Sequence, residues 1–466
     1  MVEQLWRTSS SMPTCRAVVS VLLSLLCIVT ATFACPKKCD CWYFGRYVDC
    51  AGAGLEDVPA NIPVGATYLD LGNNNIQNLS DADFSQLTSL SKWGLKLTNN
   101  GIRVLPVGVF SNLTHLRSLD LSGNHVANLP DGIFSNLTSL IRLYLSNNNI
   151  SSLTARVFSH LTRLRWLDLS LNHIADLSDG TFSHLTRLWL LDLSGNYIAD
   201  LPDEVFSNLK SLGLLYLSNN NISRLPSGVF SHLNHLWCLD LSGNHIAHLQ
   251  SEVFSNLTTL ERIDLYNNSI SRLPTGVFSH LIRLRWLDLS GNHIADLPDG
   301  MFSDLASLGH LYMANNNISS LSVGVFSHLT SLKWLDLSGN CISHLPGGVF
   351  SNLTSLLQLR LYNNNISILP ARDFTHLTRL WWLDLSGNHI SELPAEVFSN
   401  LTTLLELRLY NNNISSLTPG VFSHLYLRRI GTFTHFDIRR TYMQLSSPHE
   451  RFCSEIVYGR QVHRRM

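Results

Sequence analysis

Residues 116–137 read LRSLDLSGNHVANLPDGIFSNL, with apolar side chains at Leu116, Leu119, Leu121, Val126, Leu129, Phe134 and Leu137 and an amide, Asn124, just after the L-x-L triplet. The triplet has a period of two, so a short strand points Leu119 and Leu121 inward and turns Asp120 to solvent. The same pattern returns along the chain. Its Asn stands at 74, 100, 124, 148, 172, 196, 220, 244, 268, 292, 316, 340, 364, 388 and 412, fifteen copies at steps of 24 after a first step of 26. The longer step places two extra residues near Ser91 and Lys92. Fifteen strands stacked in parallel at ~4.8 Å predict a curved sheet roughly 70 Å along its arc. Each copy buries its apolar face only against its neighbours, so the stack needs caps at its ends. The Asn amide can satisfy backbone groups of the adjacent coil. Phenylalanines at 84, 110, 134 and every 24 residues to 422 form a spine behind the sheet.

The rest of the composition narrows the function classes. The 466 residues are 45% hydrophobic and 14% charged, with 33 basic against 34 acidic side chains. That balance argues against a nucleic-acid partner, which needs a basic face. Length alone suggests about three domains. The repetition overrides this and predicts one elongated solenoid over residues 66–425.

Residues 1–34 have the layout of a secretory signal peptide: Arg7 and Arg16, an apolar run over 17–30, and Thr32-Phe33-Ala34 before a cut at Cys35. The rival reading is a signal anchor, although the run is short of the ~20 residues of a membrane span. No later segment reaches that length, and the polar C-terminus is not the tail of a lipid-anchor signal. The expected product is secreted and extracellular, or displayed at the cell surface if the C-terminus is truncated. Cysteine use agrees, since Cys35, Cys39, Cys41 and Cys50 crowd together as two disulfides would require. Their spacing alone allows three pairings and does not fit a zinc finger. Cys238, Cys341 and Cys453 leave an odd thiol that is free or pairs with another molecule.

On the repeat and the four N-terminal cysteines, the chain resembles the extracellular, 24-residue "typical" class of leucine-rich repeat proteins. Variable lymphocyte receptors, Toll-like receptor ectodomains, Slit proteins and small leucine-rich proteoglycans share it. The resemblance implies an α/β solenoid: a horseshoe with a parallel concave β-sheet and short helical or irregular convex segments. It also implies an N-terminal cysteine cap over 35–65 paired Cys35–Cys41 and Cys39–Cys50, and a binding function whose ligand it does not name. Residues 426–466 depart from the family, because one cysteine stands where a cysteine cap is usual and eight Arg face three acidic residues. A basic tail for sulfated glycans or membranes and a truncated or misassembled reading frame are both open. Leu427 and Ile430 could begin a sixteenth strand.

A ligand is expected on the concave face. Aromatic side chains beside strands are costly to expose and are enriched at binding hot spots, which singles out Trp166, Trp286, Trp334 and Trp382 with Tyr144, Tyr216, Tyr312 and Tyr362. Asp240, Asp264 and Asp288 stand on three consecutive rungs, either solvated or matched by a Lys or Arg from a partner or by a calcium ion. Twelve N-x-S/T sequons, at Asn78, Asn112, Asn136, Asn149, Asn221, Asn256, Asn267, Asn317, Asn352, Asn365, Asn400 and Asn413, are candidate glycosylation sites. Most lie off the strands, Asn267 being nearest the concave rim. Repeats alternate between G-N-H and N-N-N forms, which reads as growth by copying pairs. The recurrent histidines do not converge as metal ligands, and no nucleophile, phosphate-binding or zinc motif is present. The sequence therefore predicts no cofactor, no metal and no catalytic step. It predicts a recognition protein for an extracellular protein or glycan, with matrix assembly or developmental signalling as the alternative. Variety among the concave columns favours recognition.

Overall fold

A computed structural model describes residues 35–91, 94–423, 425 and the backbone of 435–437. The expected signal peptide, Cys453, Lys92 and all but that triplet of the expected tail lie outside the described residues. Two compact units, residues 1–168 and 169–466, carry the strands.

The first unit opens with an antiparallel hairpin, β1 (Asp40–Trp42) and β2 (Tyr47–Asp49), closed by disulfides Cys35–Cys41 and Cys39–Cys50 as the resemblance implied. β3 (Tyr68–Asp70), β4 (Gly94–Lys96), β5 (Ser118–Asp120), β6 (Arg142–Tyr144) and β7 (Trp166–Asp168) follow in parallel register from β2. The second unit carries β8 (Leu190–Asp192), β9 (Leu214–Tyr216), β10 (Cys238–Asp240), β11 (Arg262–Asp264), β12 (Trp286–Asp288), β13 (His310–Tyr312), β14 (Trp334–Asp336), β15 (Gln358–Arg360), β16 (Trp382–Asp384) and β17 (Glu406–Arg408). Each pairs in parallel with the next. The last partner, β18 (His435–Asp437), sets Phe436 in register with Leu407, while Leu427 and Ile430 lie outside the described residues.

From β3 to β17 each strand is the L-x-L triplet, I-x-L at β11 and L-x-M at β13, shifted by a residue, and its central Leu or Ile is buried. The ladder Asn explains how so much irregular backbone is tolerated inside. Asn292 Nδ2 donates to Leu265 O (2.9 Å), Leu289 O (3.0 Å) and Ser290 O (3.3 Å), while its Oδ1 accepts from Ile270 N (2.9 Å). One side chain thus satisfies backbone groups of two repeats that water cannot reach. Behind the sheet the phenylalanines stack within each unit at 6.1–6.5 Å between ring centroids, as from Phe134 to Phe158 (6.5 Å) and from Phe398 to Phe422 (6.1 Å).

The segment from strand exit to next strand is built of turns, and no helix occurs among the described residues. Ser135 N–Gly132 O (2.9 Å), Leu137 N–Phe134 O (3.0 Å) and Leu140 N–Leu137 O (3.0 Å) close successive three-residue turns. Pro130 and the left-handed Gly132 (φ 79°) punctuate the stretch before a helix can propagate.

Candidate ligand-binding face

Residues flanking each central leucine point to the solvent face of the sheet, so adjacent rungs form columns. On β11 to β14 the first column is Arg262, Trp286, His310 and Trp334, and the second is Asp264, Asp288, Tyr312 and Asp336, each in direct register with the next. Ring centroids lie 5.0 Å apart for Trp286–His310, 4.8 Å for Trp286–Tyr312 and 4.8 Å for His310–Trp334. The four rings are half-buried by one another and make one aromatic plate. Edge and tilted contacts of this kind add to area burial.

Charge is organised around the plate. The Arg262 guanidinium lies 4.5 Å from the Trp286 ring and donates to both Asp264 oxygens (Nε–Oδ2 2.6 Å, Nη2–Oδ1 3.3 Å). Trp286 Nε1 donates to Asp264 Oδ1 at 3.0 Å. Asp264 is 3% exposed, and its burial raises its carboxyl despite these donors. The middle of the Asp240–Asp264–Asp288 column is thus satisfied from within. Asp240 and Asp288 each accept from a backbone N–H two residues on, Ser242 (3.0 Å) and Ser290 (2.9 Å). Burial raises the carboxyl of Asp288 too. His310, between two tryptophans and near Lys333 and Arg262, has its pKa lowered, chiefly by burial.

The other expected residues fall elsewhere. Trp382 stacks under Arg408 (4.4 Å), whose guanidinium pairs with Glu406 (2.6 Å) and Asp384 (3.5 Å). Gln358 stands between Trp382 and Trp334. Trp382 Nε1 is buried without an acceptor, because the rung before it offers Arg360 where Trp286 has Asp264, and Arg360 pairs with Asp336 (3.3 Å). Tyr362 is half-buried after β15. Tyr216 lies near the start of the second unit, bonded to the Cys238 thiol, which burial pushes up to about 11. Cys238 is buried and Cys341 exposed, both as free thiols. Tyr144 and Trp166 belong to the first unit, where Arg142 lies 5.7 Å from the Trp166 ring. All twelve sequon asparagines are exposed.

Sequence reasoning passed over His310 and Arg262, which complete the plate, and a neighbouring column one residue before the strands. There Trp189 and Trp237 meet at 6.4 Å above Gly213. The signal was a glycine in register between two tryptophans. Among the described residues there is no group of three or more His, Cys, Asp or Glu able to hold a metal, and no helix long and apolar enough to cross a membrane.

Comparison with known proteins fits this geometry. The leucine rich repeat family model matches residues 94–150, 114–174, 142–198, 191–246, 239–294, 282–342, 339–390 and 383–430. The chain is 33% identical over 111 residues to leucine-rich repeat-containing protein 3 of Danio rerio, covering 23% of this chain and 41% of that protein. It is 38% identical over 90 residues to leucine-rich repeat-containing G-protein coupled receptor 5 of Homo sapiens, covering 19% of this chain and 10% of the receptor. The chain therefore spans less than half of these relatives. Among solved structures, an LRR protein of Leptospira interrogans superposes with a TM-score of 0.67 at 28% identity, over 89% of this chain and 94% of that one. Toll in its Drosophila complex with Spatzle gives 0.64 at 25% identity, over 76% of this chain and 51% of that one.

Proposed function

The chain belongs to the leucine-rich repeat family, and from that premise we propose that it is an extracellular recognition protein holding a protein or glycan ligand on the solvent face of its second unit. The observation that carries this reading is the aromatic plate of Trp286, His310, Tyr312 and Trp334, bordered by Arg262 and Asp288. Rigid rings with polar edges on a fixed sheet supply contact area at low cost in conformational entropy. Binding is proposed without a catalytic step, in keeping with a G-protein coupled receptor among the relatives and with Toll held in a complex with Spatzle. The likeness to Toll, solved with Spatzle and described as a hub in development and innate immunity, supports a setting in one of those processes. Disulfide closure of the cap supports an oxidising, extracellular environment. Exposure of every sequon supports N-glycosylation at those asparagines.

The test is to secrete the chain and probe arrays of microbial glycans and extracellular proteins with wild type and a Trp286→Ala/Trp334→Ala variant. A ligand bound by wild type and lost from the variant supports the reading. Ligands bound equally by both would move the site off this face.

A further inference from the structure

We propose that the plate takes a protein ligand through an arginine side chain, its guanidinium bonded to Asp288 and lying on the ring of Tyr312. The inference rests on the recognition reading above and names the chemistry of the same face.

Four aromatic-Leu-Asp strands are followed by another strand of their own unit, and three of them meet a base there. After Tyr68-Leu69-Asp70, Lys96 stands in register with Asp70, reaches its Oδ2 at 3.3 Å and lies 5.7 Å from the Tyr68 ring. After Trp334-Leu335-Asp336, Arg360 holds that place, with Nη1 3.3 Å from Asp336 Oδ2. After Trp382-Leu383-Asp384 it is Arg408, 3.5 Å from Asp384 Oδ2 and 4.4 Å from the Trp382 ring. In all three, the other carboxylate oxygen accepts from the backbone N–H two residues on, that of Gly72 (2.9 Å), Ser338 (3.0 Å) or Ser386 (3.0 Å).

β12 is the fourth. Asp288 Oδ1 accepts from Ser290 N (2.9 Å) in the same way, but the residue in register one rung on is Tyr312. Among the described residues Asp288 has no ion pair, and burial followed by the carboxylates of Asp264 and Asp336 raises its pKa. The nearby bases are held elsewhere, Arg262 by Asp264 (2.6 Å), Arg360 by Asp336 (3.3 Å) and Arg285 by Glu261 (3.4 Å). Asp288 and Tyr312 are only half-buried, with Tyr312 packed on Trp286 at 4.8 Å, so both meet a ligand from the solvent side.

The chemistry of this place selects an arginine. A planar guanidinium forks a carboxylate and stacks on a ring at once, as Arg262 does one rung earlier with Asp264 (Nε–Oδ2 2.6 Å) and Trp286 (4.5 Å). A lysine brings only a point charge, and a neutral or sulfated glycan brings no cation. Covering a lone carboxylate opposes binding unless the ligand supplies the charge, so the site discriminates against such glycans.

The experiment selects peptides from a random displayed library on the secreted chain and keeps those that do not bind Trp286→Ala/Trp334→Ala. Each is resynthesised with arginine replaced by citrulline, which keeps the shape and loses the charge, and is titrated against wild type, Asp288→Asn and Tyr312→Arg. Peptides that need the plate should carry an arginine whose replacement weakens binding to wild type about thirtyfold and to Asp288→Asn by less than about threefold. Tyr312→Arg should weaken them as strongly, with a melting temperature at or above that of wild type, because it supplies from within the base found after β14 and β16. Plate-dependent peptides without arginine, or an equal citrulline effect on wild type and Asp288→Asn, overturn the inference and leave recognition on this face standing. So does a neutral or sulfated glycan that binds by the plate while no peptide does. Finding neither peptide nor glycan that needs the plate overturns the recognition reading itself, and this inference with it.

Discussion

Gly291 lies beneath the side chain of Asn267, whose Oδ1 occupies the space a Cβ at Gly291 would need. Both residues are left-handed, at φ 66° and 53°. The same relation joins Asn99 to Gly123, Asn219 to Gly243, Asn315 to Gly339 and Asn363 to Gly387. The alternation of G-N-H and N-N-N repeats, which reads as a trace of duplication, thus has a packing cause: an Asn reaching over one turn calls for a Gly in the next.

Gly291→Ala is therefore expected to cost about 2 kcal/mol, from the left-handed backbone and the overlap together. Gly291→Asn should cost less. Asn tolerates that backbone, and Asn99 Nδ2 already donates to Asn73 Oδ1 (2.9 Å) where two asparagines follow one another. Thermal melts of the two variants check the order.

The series is broken at Leu171, left-handed at φ 55° and 60% exposed, with its Cδ2 2.7 Å from where a Cβ on Gly195 would stand. Leu171→Asn restores the Asn-over-Gly relation and should stabilise the protein by about 1 kcal/mol. A raised unfolding midpoint is the expected readout.

Asn292→Ala strips acceptors and a donor of their partners at Leu265 O, Leu289 O and Ile270 N. At about 1–3 kcal/mol for each buried group left unpaired, the loss should exceed that of either substitution at Gly291. Hydrogen exchange at Ile270 should rise by the largest factor.

How far these features can be read from residues alone differs by level. The strands follow from a period-two triplet repeated every 24 residues, and the ladder Asn from its place after each triplet. The pairing of Asp264 was not legible, because it depends on Arg262 folding back along its own strand and on Trp286 reaching across one rung. The turns between strands were left open between helical and irregular, since a Pro-to-Gly stretch of this length carries no helical period. β18 stands 29 positions after β17 in register, outside the 24-residue spacing that located the others.

Asp373 occupies a position that carries a buried Val in neighbouring repeats, Val349 and Val397. It is 1% exposed, its Oδ1 accepts from Gly348 N (3.0 Å), its Oδ2 has no partner, and burial raises its pKa to about 6. An unfolded Asp titrates near ~3.9. The folded carboxyl keeps its proton longer, so stability is full below the unfolded pKa and is lost as pH rises from about 4 through about 6. Asp373→Val should remove that loss. The variant should exceed wild type by about 3 kcal/mol at pH 7, with a gap that shrinks towards pH 4. Melting both across this range checks the sign.

The most direct test of the recognition face is the affinity of a ligand found by array screening, measured by titration against wild type, Trp286→Ala and Trp334→Ala. Buried aromatic anchors at such sites cost ~2 kcal/mol or more on truncation, so each variant should bind at least about thirtyfold more weakly. Affinities within about twofold of wild type for both variants would contradict the account and remove the plate of Trp286, His310, Tyr312 and Trp334 from the binding site.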